Sequence, residues 1–166
     1  MGVPRRTLLM ASLGAALARM VHAAPPMLPA SQSLADELRQ ALVSGNPLLV
    51  MVSLEGCPFC RIARENYLLP LHQRNGLPVV QMDMRSKQMV KNFQGQMQTH
   101  DEWIRATNVK VAPTILFFGR AGTEVVERMT GGYIPDFYGA YLDDRLRQAK
   151  SLIVARAEPA QIGRLG

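Results

Sequence analysis

The sequence predicts an α/β domain, a mixed sheet of about four strands with helices on both faces. Three observations predict it. Apolar runs of strand length alternate with stretches whose apolar residues recur at helical spacing. Their order is helix, strand, helix, strand, helix, hairpin, helix, which yields both parallel crossovers and an antiparallel return. The only cysteines, Cys57 and Cys60, fall where the first strand hands over to a helix.

Taken in order, residues 1–23 read as an export signal. Arg5-Arg6 precede an uncharged stretch from Thr7 to Ala18, and Val21-His22-Ala23 offers small residues for cleavage near Ala23. About twelve apolar residues span about 18 Å as a helix against a hydrocarbon core of about 30 Å, which favours a cleaved leader over an anchor. Pro4-Arg5-Arg6-Thr7-Leu8-Leu9 is also similar to a twin-arginine leader, with Pro4 where Ser or Thr is usual, so both export routes stay open. Residues 24–32 read as a flexible lead-in, 33–155 as one domain and 156–166 as a C-terminal tail.

Within the domain, Ser33 with Asp36 opens an amphipathic helix to about Gly45, and Gly45-Asn46-Pro47 turns the chain. Residues 48–54 form a buried strand, and residues 60–69 carry helical spacing. A second strand covers 77–84, and Thr99 with Glu102 makes a capping box for a helix through Ala106. Residues 85–98 have no clear pattern, and Gly95 breaks any helix there. Strands at 114–118 and 123–129 flank a turn at 119–122. The last helix runs from about Pro135 to Val154, with Phe137, Tyr141, Leu142, Leu146 and Ala149 on related faces.

The chemistry rests on Glu55-Gly56-Cys57-Pro58-Phe59-Cys60. With Cys57 as N-cap and Pro58 at the first helical position, the N–H groups of Phe59 and Cys60 point back at the Cys57 sulfur. Such placement stabilises a thiolate, lowering a thiol pKa from about 8.5 toward about 3.5–7.5. Cys57 is the expected nucleophile, and Cys60, one turn on, the resolving thiol. A structural staple fits poorly, because a loop this short gains little chain entropy. Zinc would need more ligands, yet beyond the leader only His72 and His100 remain, far apart in sequence. Haem attachment needs histidine after the second cysteine, where Arg61 stands.

The formal charge of +6 falls to +3 without residues 1–23, which hold Arg5, Arg6 and Arg19 and no acidic residue. The basic residues are scattered, so nucleic acid is not an expected partner.

The strand leading to Cys57-Pro58-Phe59-Cys60, with Val111-Ala112-Pro113-Thr114 opening the later hairpin, resembles the thioredoxin superfamily from Ser33 to Lys150. Gly132-Tyr133, Pro135 and Phe137 are similar to exported thioredoxin-like proteins with an inserted segment before the third helix, including the SoxW type. The resemblance implies a cis Pro113 against the disulfide and an Ala112 backbone that receives an extended substrate peptide. Where many thioredoxins carry a buried aspartate stands Met51, and Phe59 replaces the histidine of strongly oxidising relatives. The implied activity is that of an exported thiol:disulfide oxidoreductase, monomeric and periplasmic, reducing protein disulfides and recharged by a membrane thiol electron donor. No cofactor beyond the Cys57–Cys60 disulfide and no metal are implied. Two alternatives stay open: a copper module using Cys57, Cys60, Met82, Met84, Met89 and Met97, and a glutaredoxin-like glutathione enzyme.

Overall fold

A computed structural model describes residues 27–131 and 135–155; the expected leader and C-terminal tail lie outside them. The central strand β1, Leu48–Ser53, is buried along its whole length. It pairs in parallel with β2, Val79–Asp83, and antiparallel with β5, Thr114–Phe118, which in turn pairs with β6, Met129–Thr130. The resulting sheet has the order β2-β1-β5-β6. Helices α1, Leu34–Val43, and α4, His100–Ala106, cover one face; α2, Pro58–Ile62, α3, Leu69–Asn75, and α5, Pro135–Ala155, cover the other. The expected mixed four-stranded sheet with helices on both faces is present.

Successive side chains of a strand face opposite ways, and here the alternation divides two cores. Leu49, Met51, Val79, Ile115 and Phe117 meet Cys60, Leu68 and Leu142 on one side. Leu48, Val50, Val52, Val80, Met82, Leu116 and Phe118 meet Leu34, Leu38, Trp103 and Ile104 on the other.

Several elements differ from their sequence reading. Ser33 does not cap α1 through its own side chain; its hydroxyl donates to Asp36 Oδ2 at 2.6 Å, while Glu37 Oε1 accepts the N–H groups of Gln32 and Ser33. In the presumed lead-in, Leu28 is buried and Ser31 N–H donates to the Gln81 carbonyl, so the fold begins before Ser33 and shields the outer edge of β2. The helix after Cys60 changes to a π-helix over Ala63–Leu68 before α3. Pro70 explains it, because proline inside a helix removes a donor and crowds the carbonyl four residues back, which a wider turn accommodates.

The patternless stretch contains a hairpin of β3, Met89–Lys91, and β4, Met97–Thr99. Asn92 Oδ1 holds its turn by accepting from Gln94 and Gln96 N–H. The Thr99–Glu102 capping box is present, and these bonds hold the Glu102 carboxyl below its ordinary range.

The strand expected at 123–129 is reduced to β6 and one bridge at Glu124. Between Ile115–Met129 and Phe118–Glu124, three steps along β5 face five on the return, so two residues bulge out. On α5 the buried stripe is Tyr138, Leu142, Leu146, Ala149 and Ile153, whereas Phe137 and Tyr141 are exposed, one position off the stripe. Among the described residues no helix is long and apolar enough to cross a membrane.

Gly122, after β5, has φ +67°, and a Cβ there would lie 2.5 Å from Phe93 Cγ. Phe93 packs on Phe118 with ring centroids 4.8 Å apart, which limits its retreat. Gly122→Ala is expected to cost about 2–4 kcal/mol of stability, read from the urea midpoint; a loss below about 0.5 kcal/mol would show that Phe93 yields freely.

Candidate active site

The end of β1 delivers the cysteines. After Ser53 the chain turns through Gly56, whose φ of +73° lies in the left-handed region glycine tolerates, and Cys57 N–H donates to the Leu54 carbonyl at 3.2 Å. Cys57 is the N-cap of α2 in extended conformation, with Pro58 at the first helical position. Cys60 N–H donates to Cys57 Sγ at 3.1 Å, as the spacing predicts. Cys57 and Cys60 are joined as a disulfide with Cα atoms 5.3 Å apart. Their exposure is unequal, for Cys57 is partly exposed while Cys60 is 1% exposed and belongs to the core under α2.

From the other direction β5 brings Ala112 and Pro113. The Ala112–Pro113 peptide bond is cis, Pro113 is buried, and the Ala112 carbonyl oxygen lies 3.9 Å from Cys57 Sγ. Thr114 Oγ1 donates to the Val111 carbonyl at 2.6 Å, and Gly131 N–H donates to the Pro113 carbonyl at 2.8 Å, fixing this corner against β6. Phe59 and Val111 are about half exposed, at 52% and 46%, so apolar surface flanks the disulfide. Thus all six expected site residues come together at the disulfide: Cys57, Pro58, Phe59 and Cys60 at the start of α2, and Ala112 and Pro113 in the segment leading into β5. Met51 is fully buried in the core on this face, and Glu55 and Arg61 are exposed.

The opposite flank of the disulfide opens into a cleft of about 960 Å³ lined by Cys57, Cys60, Arg64, Gln81 and Asp83 among others. Sequence reasoning missed its polar wall. Two signals were available: Arg64 four residues after Cys60, and Gln81 interrupting the otherwise apolar Val79-Val80-Gln81-Met82. Gln81 links the wall, accepting from Arg64 Nη1 at 3.3 Å and donating to Asp83 Oδ1 at 2.8 Å.

The soft ligands of the copper alternative are not gathered. Met82 is buried on the sheet face away from Cys60, Met89 and Met97 are exposed on the hairpin, and only Met84 reaches the cleft. His72 Nδ1 meets the Leu77 carbonyl, while His100 is buried between Asp83 N–H and the Ser31 carbonyl. No group of three or more His, Cys, Asp or Glu that could hold a metal occurs among the described residues.

Residues 34–146 match the family model of the thioredoxin-like domain. The chain belongs to the thioredoxin-like domain family. Membership, together with the Cys57–Cys60 disulfide, makes this thioredoxin-like chain a thiol:disulfide oxidoreductase acting on protein thiols and disulfides. Such a site needs no cofactor beyond the disulfide.

Similar solved structures include thioredoxin O2 from Arabidopsis thaliana in the oxidised state, with 17% identity, TM-score 0.47 and coverage of 72% of this chain and 93% of that one. Trxlp from Edwardsiella tarda has 27% identity, TM-score 0.44 and coverage of 69% and 95%. A putative disulphide-isomerase from Bacteroides thetaiotaomicron has 20% identity, TM-score 0.48 and coverage of 74% and 96%. No curated protein matches significantly. Gly132 and Tyr133, which carry the SoxW-type likeness, lie outside the described residues.

The Cys60 N–H at the Cys57 sulfur favours negative charge there once the disulfide is reduced. In the reduced protein, alkylation of Cys57 by iodoacetamide is expected to reach half its maximal rate well below the pH of about 8.5 typical of a free thiol. A midpoint at that value would show that the helix start does not activate the sulfur.

Proposed function

We propose that the protein is an exported oxidoreductase that reduces disulfides of periplasmic proteins, with Cys57 as nucleophile and Cys60 as resolving thiol. The unequal exposure of the pair carries this assignment: a substrate sulfur can approach Cys57, whereas Cys60 is covered by its own helix. In the reduced enzyme, the Cys57 thiolate attacks one sulfur of the substrate disulfide and expels the other as a thiolate, which takes up a proton. The deprotonated Cys60 then attacks Cys57 Sγ in the mixed disulfide. The second substrate thiolate leaves, and the Cys57–Cys60 bond forms. Two electrons pass from the cysteine pair to the substrate, and a dithiol donor must return them.

The Ala112 carbonyl lies beside Cys57 Sγ, and the half-exposed Phe59 and Val111 suit an extended peptide laid across the disulfide. Phe59 between the cysteines offers no polar hydrogen to a thiolate, which favours the reducing direction over strong oxidation. Export is supported by Arg5-Arg6, the uncharged stretch to Ala18 and Val21-His22-Ala23. A monomer recharged by a membrane thiol donor is the working form.

Equilibration of the purified protein with glutathione buffers is expected to give a potential near thioredoxin's, about −270 mV; a value near −120 mV, that of the strongest oxidants, would reverse the direction. In cells, Cys60→Ser is expected to accumulate mixed disulfides on Cys57 with exported proteins, identified by mass spectrometry after non-reducing separation. Absence of any such adduct, with Cys57 present and folded, would remove the proposed exchange.

A further inference from the structure

Arg64 lies four residues beyond Cys60, and both line the cleft beside the disulfide. Its side chain is only 12% exposed, yet its donors are poorly used. Nη1 donates to Gln81 Oε1 at 3.3 Å, Nη2 stands 3.9 Å from Glu65 Oε1, and the buried Nε has no hydrogen-bond partner. By contrast, the exposed Arg105 and Arg147 hold Asp101 and Asp144 at 2.5 Å and 3.0 Å. A guanidinium withdrawn from water without a full set of acceptors costs free energy, and a bound anion would offset that cost.

The surroundings favour such a ligand. Arg61 and Arg85 also line the cleft, against the carboxylates of Glu55 and Asp83, so cations outnumber anions there, and Asp83 is engaged by Gln81. Cys57, Cys60 and Arg64 line the same cleft, and an extended peptide advances about 3.3 Å per residue, so a group one or two residues from the substrate sulfur joined to Cys57 enters the cleft that Arg64 lines. The planar fork of a guanidinium matches a carboxylate in two-point contact.

We propose that this cleft is a carboxylate subsite, in which Arg64 receives an acidic group carried close to the reacting sulfur of the substrate. The inference rests on the exchange reaction above and adds a substrate class to it. The carboxylate can belong to an acidic residue beside a protein cysteine or to a small thiol such as glutathione.

The test compares kcat/KM for disulfide peptides identical except for Asp or Asn next to the cysteine, and for glutathione disulfide against its carboxyl-amidated form. Each rate is divided by that of dithiothreitol on the same substrate, which removes the effect of charge on intrinsic reactivity. The acidic member of at least one pair is expected to be favoured about tenfold, the effect of one charge-assisted hydrogen bond. Preference within the peptides assigns the carboxylate to protein substrates, and preference for glutathione disulfide assigns it to the small thiol. Arg64→Gln is expected to bring the ratio close to one, and Arg74→Gln, on α3 and outside the cleft-lining set, to leave it unchanged. Equal rates within both pairs for the wild-type protein would overturn the subsite, with no dependence on how a variant folds. A full ratio retained in Arg64→Gln would also overturn it. Turnover without charge preference would leave the exchange reaction standing, whereas no turnover of any disulfide would remove both.

Discussion

The hydrogen bond from the Cys60 amide to the Cys57 sulfur is the contact on which the site depends. It exists because α2 begins at Pro58, leaving Cys57 outside the helix with its side chain turned back over the first N–H groups. That start is fixed by β1, buried on both faces and paired on both edges, which ends at Ser53 and leaves a short turn before the cysteine. Cys60, packed in the core below, anchors the other end of the pair. The unequal exposure of the two sulfurs therefore follows from where one strand stops and one helix starts.

What was legible in the sequence was local. The strand before Cys57, the proline at the helix start, the Thr99–Glu102 box and the apolar run 114–118 each carry their signal within a few residues, and each forms as read. The misread elements carry no such signal at their own positions. Pro70 alters the helix several residues before itself. The strands Met89–Lys91 and Met97–Thr99 are too short to show a period, and their turn is set by the Asn92 side chain. Tyr138 is buried in place of its neighbours Phe137 and Tyr141 because it meets Tyr67, with ring centroids 4.8 Å apart.

The cleft shows the same division. Cys57 and Cys60 announce themselves, but the wall opposite is assembled from separate parts of the chain. Asp83 N–H donates to Nδ1 of the buried His100, whose Nε2 faces the Ser31 carbonyl, and Ser31 N–H in turn donates to the Gln81 carbonyl. Arg85 N–H donates to Asp101 Oδ1 at the start of α4. The segment before α1, the end of β2 and the first turn of α4 thus hold one another, and the polar side of the redox site is as firmly built as its apolar side.

The sheet also acts as a partition with a simple rule. Along β1, β2 and β5 the odd-numbered side chains, Leu49, Met51, Val79, Gln81, Ile115 and Phe117, lie on the cysteine side, and the even-numbered Leu48, Val50, Val52, Val80, Met82, Leu116 and Phe118 lie behind it. The two compartments share a backbone and few side-chain neighbours. Evolution can accordingly retune electron exchange through one set of positions while the other keeps the scaffold upright, and the two can drift at different rates within a single six-residue strand.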